Sequence, residues 1–260
     1  MAAPRKALEL FLSLSVSTGA VLAPFSPAAA APAEHHGHST NLDEGGEGGE
    51  GGEGQRAIES ELDLLVVLEQ MRGHLLIAEE LLASNNPSGA EPHVGHPIDE
   101  LYGAVDAPLQ QRQIPGFKSQ LEDLRQQVRL NAQPALVQAK LTAARQGIQQ
   151  AELALAPLRL SSPQAISVAR SLALVAASEY TAAEAGGQIV ETIEYQDARG
   201  FLLAAAAVIQ GALAQPDAER STLSRAQNTL QAMLRAVPSA TPPQRIGVTP
   251  LQLQSLADQL

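Results

Sequence analysis

The sequence predicts an all-α protein, built as an antiparallel helical bundle with two related halves as a further possibility. Aromatic residues make up only 3% of the 260 residues and tryptophan is absent. A core must therefore consist mainly of alanine, leucine, isoleucine and valine, whose small side chains let helix axes approach closely. Apolar residues also recur at helical spacing through most of the chain after residue 55.

The charge and the cysteine content exclude several classes of function. The formal net charge is -11 at pH 7, and no basic stripe is present that would offset repulsion from phosphates. We therefore expect no nucleic-acid partner, whereas metal cations or basic surfaces suit this charge. The sequence has no cysteine, which excludes disulfides, thiolate metal sites and attached c-type haem.

Residues 1–33 have the features of a secretory signal peptide. Arg5 and Lys6 precede a mainly apolar run at residues 7–23, and a segment of small residues ends at Ala33. A membrane anchor is the less favoured alternative, because the apolar run is shorter than the roughly 20 residues that span a bilayer. We expect a periplasmic protein that does not span the membrane.

Residues 34–55 are predicted to be a disordered tether rich in His, Gly and Glu. After cleavage at residue 33, the chain would begin Glu34-His35-His36-Gly37-His38, in which the third residue could complete a square-planar Cu(II) or Ni(II) site. A solvated tail with weak affinity for metals is the favoured interpretation. Residues 43–54 repeat Gly and Glu without an apolar residue, a composition that predicts disorder.

The rest of the chain divides into an N-terminal helical half, residues 56–156, and a C-terminal helical half, residues 163–260. Proline-rich residues 157–163 form the predicted seam. Residues 85–95 read as a loop rich in Pro, Gly and Asn. Pro97 is predicted to begin a helix with His96 as its N-cap. Further helices are predicted at residues 56–84, 117–130, 134–155, 164–185, 189–214, 217–236 and 251–260, with residues 238–250 extended.

A short internal repeat supports two related halves. Met71-Arg72-Gly73-His74-Leu75-Leu76 matches Ala198-Arg199-Gly200-Phe201-Leu202-Leu203. His74 lies on an apolar face of its helix, so a lone core histidine satisfied by a hydrogen bond is favoured over a metal ligand completed by other helices. Phe201 takes the same place in the second copy, which also favours a packing role.

The first candidate metal site contains His93, His96 and Glu100. His96 and Glu100 are four residues apart and share one side of a helical turn, with His93 three residues earlier. Imidazole and carboxylate together suit iron, zinc or copper. Capping is the alternative explanation, because acidic residues favour helix N-termini whether or not a metal binds.

The second candidate site contains Glu184, Glu191, Glu194 and Tyr195. Glu191 and Glu194 lie one helical turn apart, and a chain reversal at Gly186-Gly187 would bring Glu184 towards them. With a phenolate from Tyr195 or Tyr180, these carboxylates would form an oxygen-rich site suited to Fe(III), Ca or Mn. Exposed glutamate pairs are also common on helices without a metal, and Arg199 could neutralise some of them.

Residues 170–205 resemble the periplasmic helical domain attached to bacterial high-affinity iron permeases. The resemblance rests on Glu179-Tyr180, on Gly187-Gln188-Ile189-Val190 and on the stretch from Glu194 to Phe201. It implies iron handling outside the inner membrane, iron as the bound metal and an inner-membrane iron transporter as a partner. The membrane helices of the permease are missing, so a transport activity of its own is not implied.

The first half is more loosely similar to imelysin-type periplasmic iron proteins. Those proteins carry a Gly-x-His-x-x-Glu motif, whereas here Gly95 directly precedes His96 and Asp99 takes the place of the glutamate. Glu100 follows one residue later. This departure leaves the imelysin motif incomplete.

We therefore expect a secreted, helical, metal-binding accessory protein of iron uptake or buffering, with copper as the alternative metal. We do not expect an enzyme, because no set of nucleophile, base and orienting group can be assembled from these residues. The alternative is a helical interaction or structural module of the cell envelope, whose acidic residues are only solvated.

Overall fold

The structure, a computed structural model, describes residues 58–155 and 159–260. In this part the regular secondary structure is helical except for one hairpin of two-residue strands, which confirms the predicted all-α fold class. The predicted signal peptide, the predicted tether, residues 56, 57 and 156 of the predicted N-terminal half and residues 157–158 of the predicted seam lie outside the described residues. Of the helices that the structure describes, none combines the length and the apolar character needed to cross a membrane.

The first half contains five α-helices and one π-helical turn within the described residues. They are α1 Glu61–Ala83, α2 Pro87–His96, the π-helical turn Pro97–Leu101, α3 Tyr102–Gln111, α4 Lys118–Arg129 and α5 Pro134–Leu155. In the second half, four helices follow, with a two-stranded antiparallel hairpin between the first two. These elements are α6 Ser162–Ala183, β1 Glu184–Ala185, β2 Gln188–Ile189, α7 Thr192–Leu213, α8 Arg220–Leu234 and α9 Pro250–Asp258.

Local capping signals fix where helices begin. The Ser60 hydroxyl accepts a hydrogen bond from the Asp63 backbone N–H at 3.1 Å, and the Asp63 carboxylate accepts one from the Ser60 N–H at 2.9 Å. Thr249 and Gln252 make the same reciprocal pair at the start of α9. Each pair satisfies two backbone donors that the first helical turn leaves without partners.

Residues 85–95 are not the predicted loop, because most of them form α2. The side-chain oxygen of Asn86 accepts a hydrogen bond from the Gly89 N–H at 3.0 Å, and Pro87 takes the first helical position. Pro92 lies inside the helix. Asparagine and proline here initiate a helix rather than interrupt one.

Pro97 does not begin a new helix, so the predicted N-cap at His96 is also wrong. His96 has helical dihedral angles and makes no capping bond with its side chain, and the chain passes through the π-helical turn into α3. Proline has no N–H to donate to the carbonyl four residues earlier, and a wider π turn accommodates that break. His93 and His96 therefore lie on one helix.

The buried apolar side chains form two cores with α1 between them. The first core is made by α1 to α5, and Leu64, Leu68, Met71 and Leu75 of α1 point into it. The second core is made by α6 to α9 and includes Leu65 of α1. A helix that is apolar on two faces is buried on both, as its sequence predicts.

The repeated sequence marks the place where α1 crosses α7. A Cβ atom built on Gly200 would lie 2.5 Å from the carbonyl oxygen of Gly73, so the two backbones touch. Next to the crossing, the ring of His74 packs edge-on against that of Phe201, with 5.0 Å between centroids. The crossing brings the polar residues of α7 close to His74. Duplication of the two halves stays a prediction.

Candidate metal centre

Four side chains from three helices meet beside the crossing of α1 and α7. We call them the histidine cluster: His74 of α1, His93 and His96 of α2, and Asp197 of α7. Each offers one ligand atom, and the four atoms lie within 4.8 Å of one another. Within residues 58–155 and 159–260, no other group of three or more histidine, cysteine or acidic residues is arranged in this way.

The histidine cluster is buried except at one edge. The side chains of His74, His93 and Asp197 have no exposed surface, whereas 20% of the His96 side chain is exposed. Burial strengthens electrostatic interactions and makes any polar group without a partner costly. An ion from solvent would reach the cluster past His96.

Asp197 is the centre of the cluster. Its Oδ1 atom lies 2.8 Å from Nδ1 of His74 and 2.8 Å from Nδ1 of His93. Burial alone would raise the pKa of Asp197, but the charges and hydrogen bonds of the two imidazoles outweigh burial and hold that pKa well below its usual range. Asp197 is therefore ionised, which is the form that binds a metal.

Two further ligand atoms of the cluster face each other as an ion pair. Nδ1 of His96 and Oδ2 of Asp197 lie 3.2 Å apart, and neither makes a hydrogen bond with a third residue. Metal–nitrogen and metal–oxygen bonds of about 2.1 Å that meet near a right angle place their two donor atoms about 3 Å apart. The separation therefore fits an ion that both atoms bind.

A hydrogen-bond chain determines which nitrogen of His93 faces the cluster. Nε2 of His93 lies 2.8 Å from Oε1 of Gln196, and the Gln196 amide donates to the Ala240 carbonyl oxygen at 2.9 Å. Because that carbonyl can only accept, Oε1 of Gln196 faces His93 and accepts a hydrogen bond from Nε2–H. Nδ1 of His93 is then left to carry a shared proton towards Asp197 or to give its lone pair to a metal.

Glu100 lies just outside the cluster. Its Oε1 atom is 3.7 Å from Nε2 of His96, and 37% of its side chain is exposed. Burial alone would lower the pKa of His96, as would the charge of His74. The hydrogen bond and charge of Asp197, together with the charge of Glu100, outweigh both and raise that pKa. Of the first candidate site, the structure thus brings His93 and His96 into the cluster and places Glu100 behind His96.

Arg125 of α4 holds the helix that carries two of the histidines. Its guanidinium lies 2.9 Å from a carboxylate oxygen of Glu91 on α2 and 2.7 Å from one of Asp99 on the π-helical turn. A Cβ atom on Gly95 would lie 2.7 Å from Nη2 of Arg125, so a glycine next to His96 makes room for it. These contacts fix α2 and the turn after it relative to α4.

The second candidate site is not assembled as an oxygen-rich cluster in the described residues. The predicted reversal at Gly186-Gly187 is present, with positive φ at both glycines. However, the Glu184 carboxylate accepts a hydrogen bond from the Gly187 N–H within the hairpin, and Glu191 is an exposed residue just before α7. Glu184, Glu191 and Glu194 belong to no compact metal-ligand group within the described residues.

The tyrosines of that region are buried phenols. The Tyr180 hydroxyl donates to the Val248 carbonyl oxygen at 2.8 Å, and Tyr195 lies in the second core with its ring centroid 6.5 Å from that of Tyr180. Burial raises the pKa of each to about 12. Both phenols are therefore protonated at neutral pH in the metal-free protein.

Sequence reasoning missed two residues of the cluster. His74 does make a hydrogen bond, as expected of a core histidine, but it stands beside two further imidazoles and is not a lone histidine. Sequence reasoning gave Asp197 no role as a ligand. Its neighbours Glu194, Gln196 and Arg199 are also polar, so the local sequence gave no signal that this carboxylate is buried.

Comparison with known proteins gives one family match. Residues 159–260 match the family model described as the iron permease-associated 4-helix bundle domain, a region that comprises α6 to α9. No curated protein matches the chain. No solved structure matches it either. Nothing in these comparisons supports the imelysin resemblance. The second half of this chain is thus similar to a helical bundle domain that is associated with iron permeases.

Proposed function

We propose that this protein is a periplasmic, metal-binding accessory protein of iron uptake or buffering, and that its metal site is the histidine cluster. The observation that carries the proposal is the convergence of four ligand atoms from three helices within 4.8 Å of one another. Three imidazoles and one carboxylate form a ligand set that suits a divalent transition metal.

The family match supports iron as the metal. A domain associated with iron permeases makes an iron transporter the natural partner, and residues 159–260 supply Asp197 to the cluster. Three imidazoles and one carboxylate also bind copper and zinc well, so copper remains the alternative metal. Export to the periplasm is part of the proposal and rests on the sequence of residues 1–33 alone.

The geometry supports holding and handing on an ion rather than catalysis. Three of the four ligands are buried, which shields a bound ion from water and from competing ligands. The exposed edge of His96 gives the ion one way in and out. A transporter that docks at this edge would receive the ion directly.

Calorimetric titration of Zn(II), of Cu(II) and, without oxygen, of Fe(II) tests this proposal. The full chain should carry alanine in place of His35, His36 and His38, so that the tail contributes no binding. We expect one ion per chain, with Fe(II) among the ions bound, and a loss of affinity of at least about 100-fold in the H96A and D197N variants. Each variant must keep the helical circular dichroism of the parent.

An E191Q variant is the matched control, because Glu191 is an exposed carboxylate outside the cluster. It should bind metal like the parent. Undiminished binding by a folded H96A variant, or no binding by the parent chain, would contradict the proposal and leave an interaction module as the better explanation.

A further inference from the structure

We infer that the histidine cluster takes its metal as a divalent ion, so that iron binds as Fe(II) and Fe(III) is rejected. This inference rests on the proposed function and adds the oxidation state of the cargo to it. Three observations support it: the donor atoms of the cluster, its charge balance and its surroundings.

The donor atoms favour a divalent transition metal. Three of the four ligands are imidazole nitrogens, which bind a metal in their neutral form, and Asp197 supplies the single carboxylate. Imidazole suits divalent iron, copper, zinc and nickel, whereas harder, more highly charged ions prefer anionic oxygen ligands. Fe(III) would find one such ligand here.

The charge balance points the same way. With neutral imidazoles and an ionised Asp197, a bound divalent ion leaves a net charge of about +1 inside the protein, and a trivalent ion leaves about +2. The Born cost of a charge in a low-dielectric interior grows with the square of that charge. The fully buried side chains of His74, His93 and Asp197 place the ion in such an interior.

The surroundings offer little to offset a third charge. Phe201 covers one side of His74, and the group behind His93 is the neutral amide of Gln196. Glu100 lies behind His96, at 3.7 Å from Nε2, and is partly exposed, so solvent weakens its effect on the ion. Ferric iron bound here would therefore be poorly neutralised.

The experiment compares oxidation states in the full chain whose tail histidines are replaced by alanine. Fe(II) is titrated without oxygen, Co(II) serves as an air-stable divalent probe, and Fe(III) is supplied as its citrate complex. After correction for citrate, we expect Fe(III) to bind at least about 100-fold more weakly than Fe(II). Co(II) should give visible absorption bands that disappear in the H96A variant.

The outcomes separate this inference from the proposed function. If Fe(II) and Co(II) bind and Fe(III) binds as tightly, the inference is overturned while the metal site stands. If none of the three ions binds, both fail. An E191Q/E194Q variant serves as the second control, because Fe(III) binding that is lost in it belongs to the hairpin and does not count as binding at the histidine cluster.

Discussion

Gly73 of α1 and Gly200 of α7 lie in direct backbone contact, and a Cβ on Gly200 would come within 2.5 Å of the Gly73 carbonyl oxygen. His74 is the next residue after Gly73, and Asp197 lies three residues before Gly200. The contact therefore determines how closely the imidazole of His74 approaches the carboxylate of Asp197. The two glycines connect the packing of the bundle to the geometry of the metal site.

Replacing Gly200 with alanine should force the two helices apart. We expect the free energy of unfolding to fall by about 1–3 kcal/mol. The new Cβ would overlap backbone atoms, which cannot relieve the overlap by changing rotamer as a side chain can. Urea unfolding measures the loss, and metal titration should show weaker binding. Gly211, also on α7, has open space where its Cβ would be. The G211A control should be stabilised by about 0.5–1 kcal/mol, and equal behaviour of the two variants would refute this account.

Replacing Gln196 with leucine should weaken metal binding without removing a ligand. Leucine cannot accept a hydrogen bond from Nε2–H of His93, so the ring loses the partner that directs Nδ1 towards the cluster. Removing such an outer hydrogen-bond partner costs about 10–100-fold in metal affinity. A Co(II) titration measures the change. The matched control is Q210L, on an exposed part of α7, and it should leave the affinity unaltered.

Chemical modification should distinguish His96 from the two buried histidines. Diethyl pyrocarbonate acylates a nitrogen lone pair, and His96 is the cluster histidine with an exposed edge. Peptide mapping by mass spectrometry should find modified His96 and little reaction at His74 or His93. A metal at Nδ1 leaves the proton on Nε2, so saturating Co(II) should protect His96. Equal labelling with and without Co(II) would show that Nδ1 is not a ligand.

Glu69 should make the stability of the fold depend on pH. Burial raises its pKa from 4.5 to about 7, against the opposing charge of Arg72. The folded state thus binds the proton on the Glu69 carboxyl more tightly than the unfolded state. The stability that comes from this protonation is lost as the pH rises from about 4.5 to about 7. The loss amounts to about 3 kcal/mol.

The E69Q variant isolates this effect. Urea unfolding measures the free energy of unfolding of this variant and of the parent at pH 5 and at pH 8. The difference between the two pH values should be smaller in E69Q, because glutamine does not titrate. Glu122 is an exposed glutamate of α4, and an E122Q control should keep the difference seen in the parent chain. An E69Q variant with an unchanged difference would show that Glu69 ionises normally in the folded protein.

Local sequence signals predicted several helices well. The prediction of residues 134–155 coincides with α5, which runs from Pro134 to Leu155, and the prediction of residues 117–130 differs from α4 by one residue at each end. These helices have a proline at the start or a clear apolar stripe, and both signals depend only on neighbouring residues. The fold class followed from such local patterns.

The π-helical turn and α2 could not be predicted in the same way. Pro87, Pro92 and Pro97 each suggest a break, yet all three lie within one helical stretch. The stretch stays helical because it packs into the first core, where Ala90, Val94 and Leu101 are buried. Tertiary burial outweighed the local cost of proline, which sequence patterns do not measure.

The residues of the histidine cluster were even harder to predict from the sequence, because they meet only through tertiary structure. Helical spacing predicted that His93 and His96 would lie near each other, but it gave no information on Asp197, which is 104 residues from His93 in sequence. The acidic residues around the hairpin were predicted to be metal ligands only because they are close together in the sequence. Closeness in sequence does not show whether their carboxylates meet in the fold. Only the crossing of α1 and α7 shows which carboxylate meets the imidazoles.

The distribution of the ligands has a consequence for how such a site arises. Within the histidine cluster, Asp197 lies in the region that matches the iron permease-associated domain, while the three histidines come from α1 and α2. A protein with that domain but without counterparts of α1 and α2 would have the carboxylate and none of the imidazoles. Evolution could therefore gain or abolish the proposed metal binding by fusing or deleting an N-terminal segment, without any substitution in the domain itself.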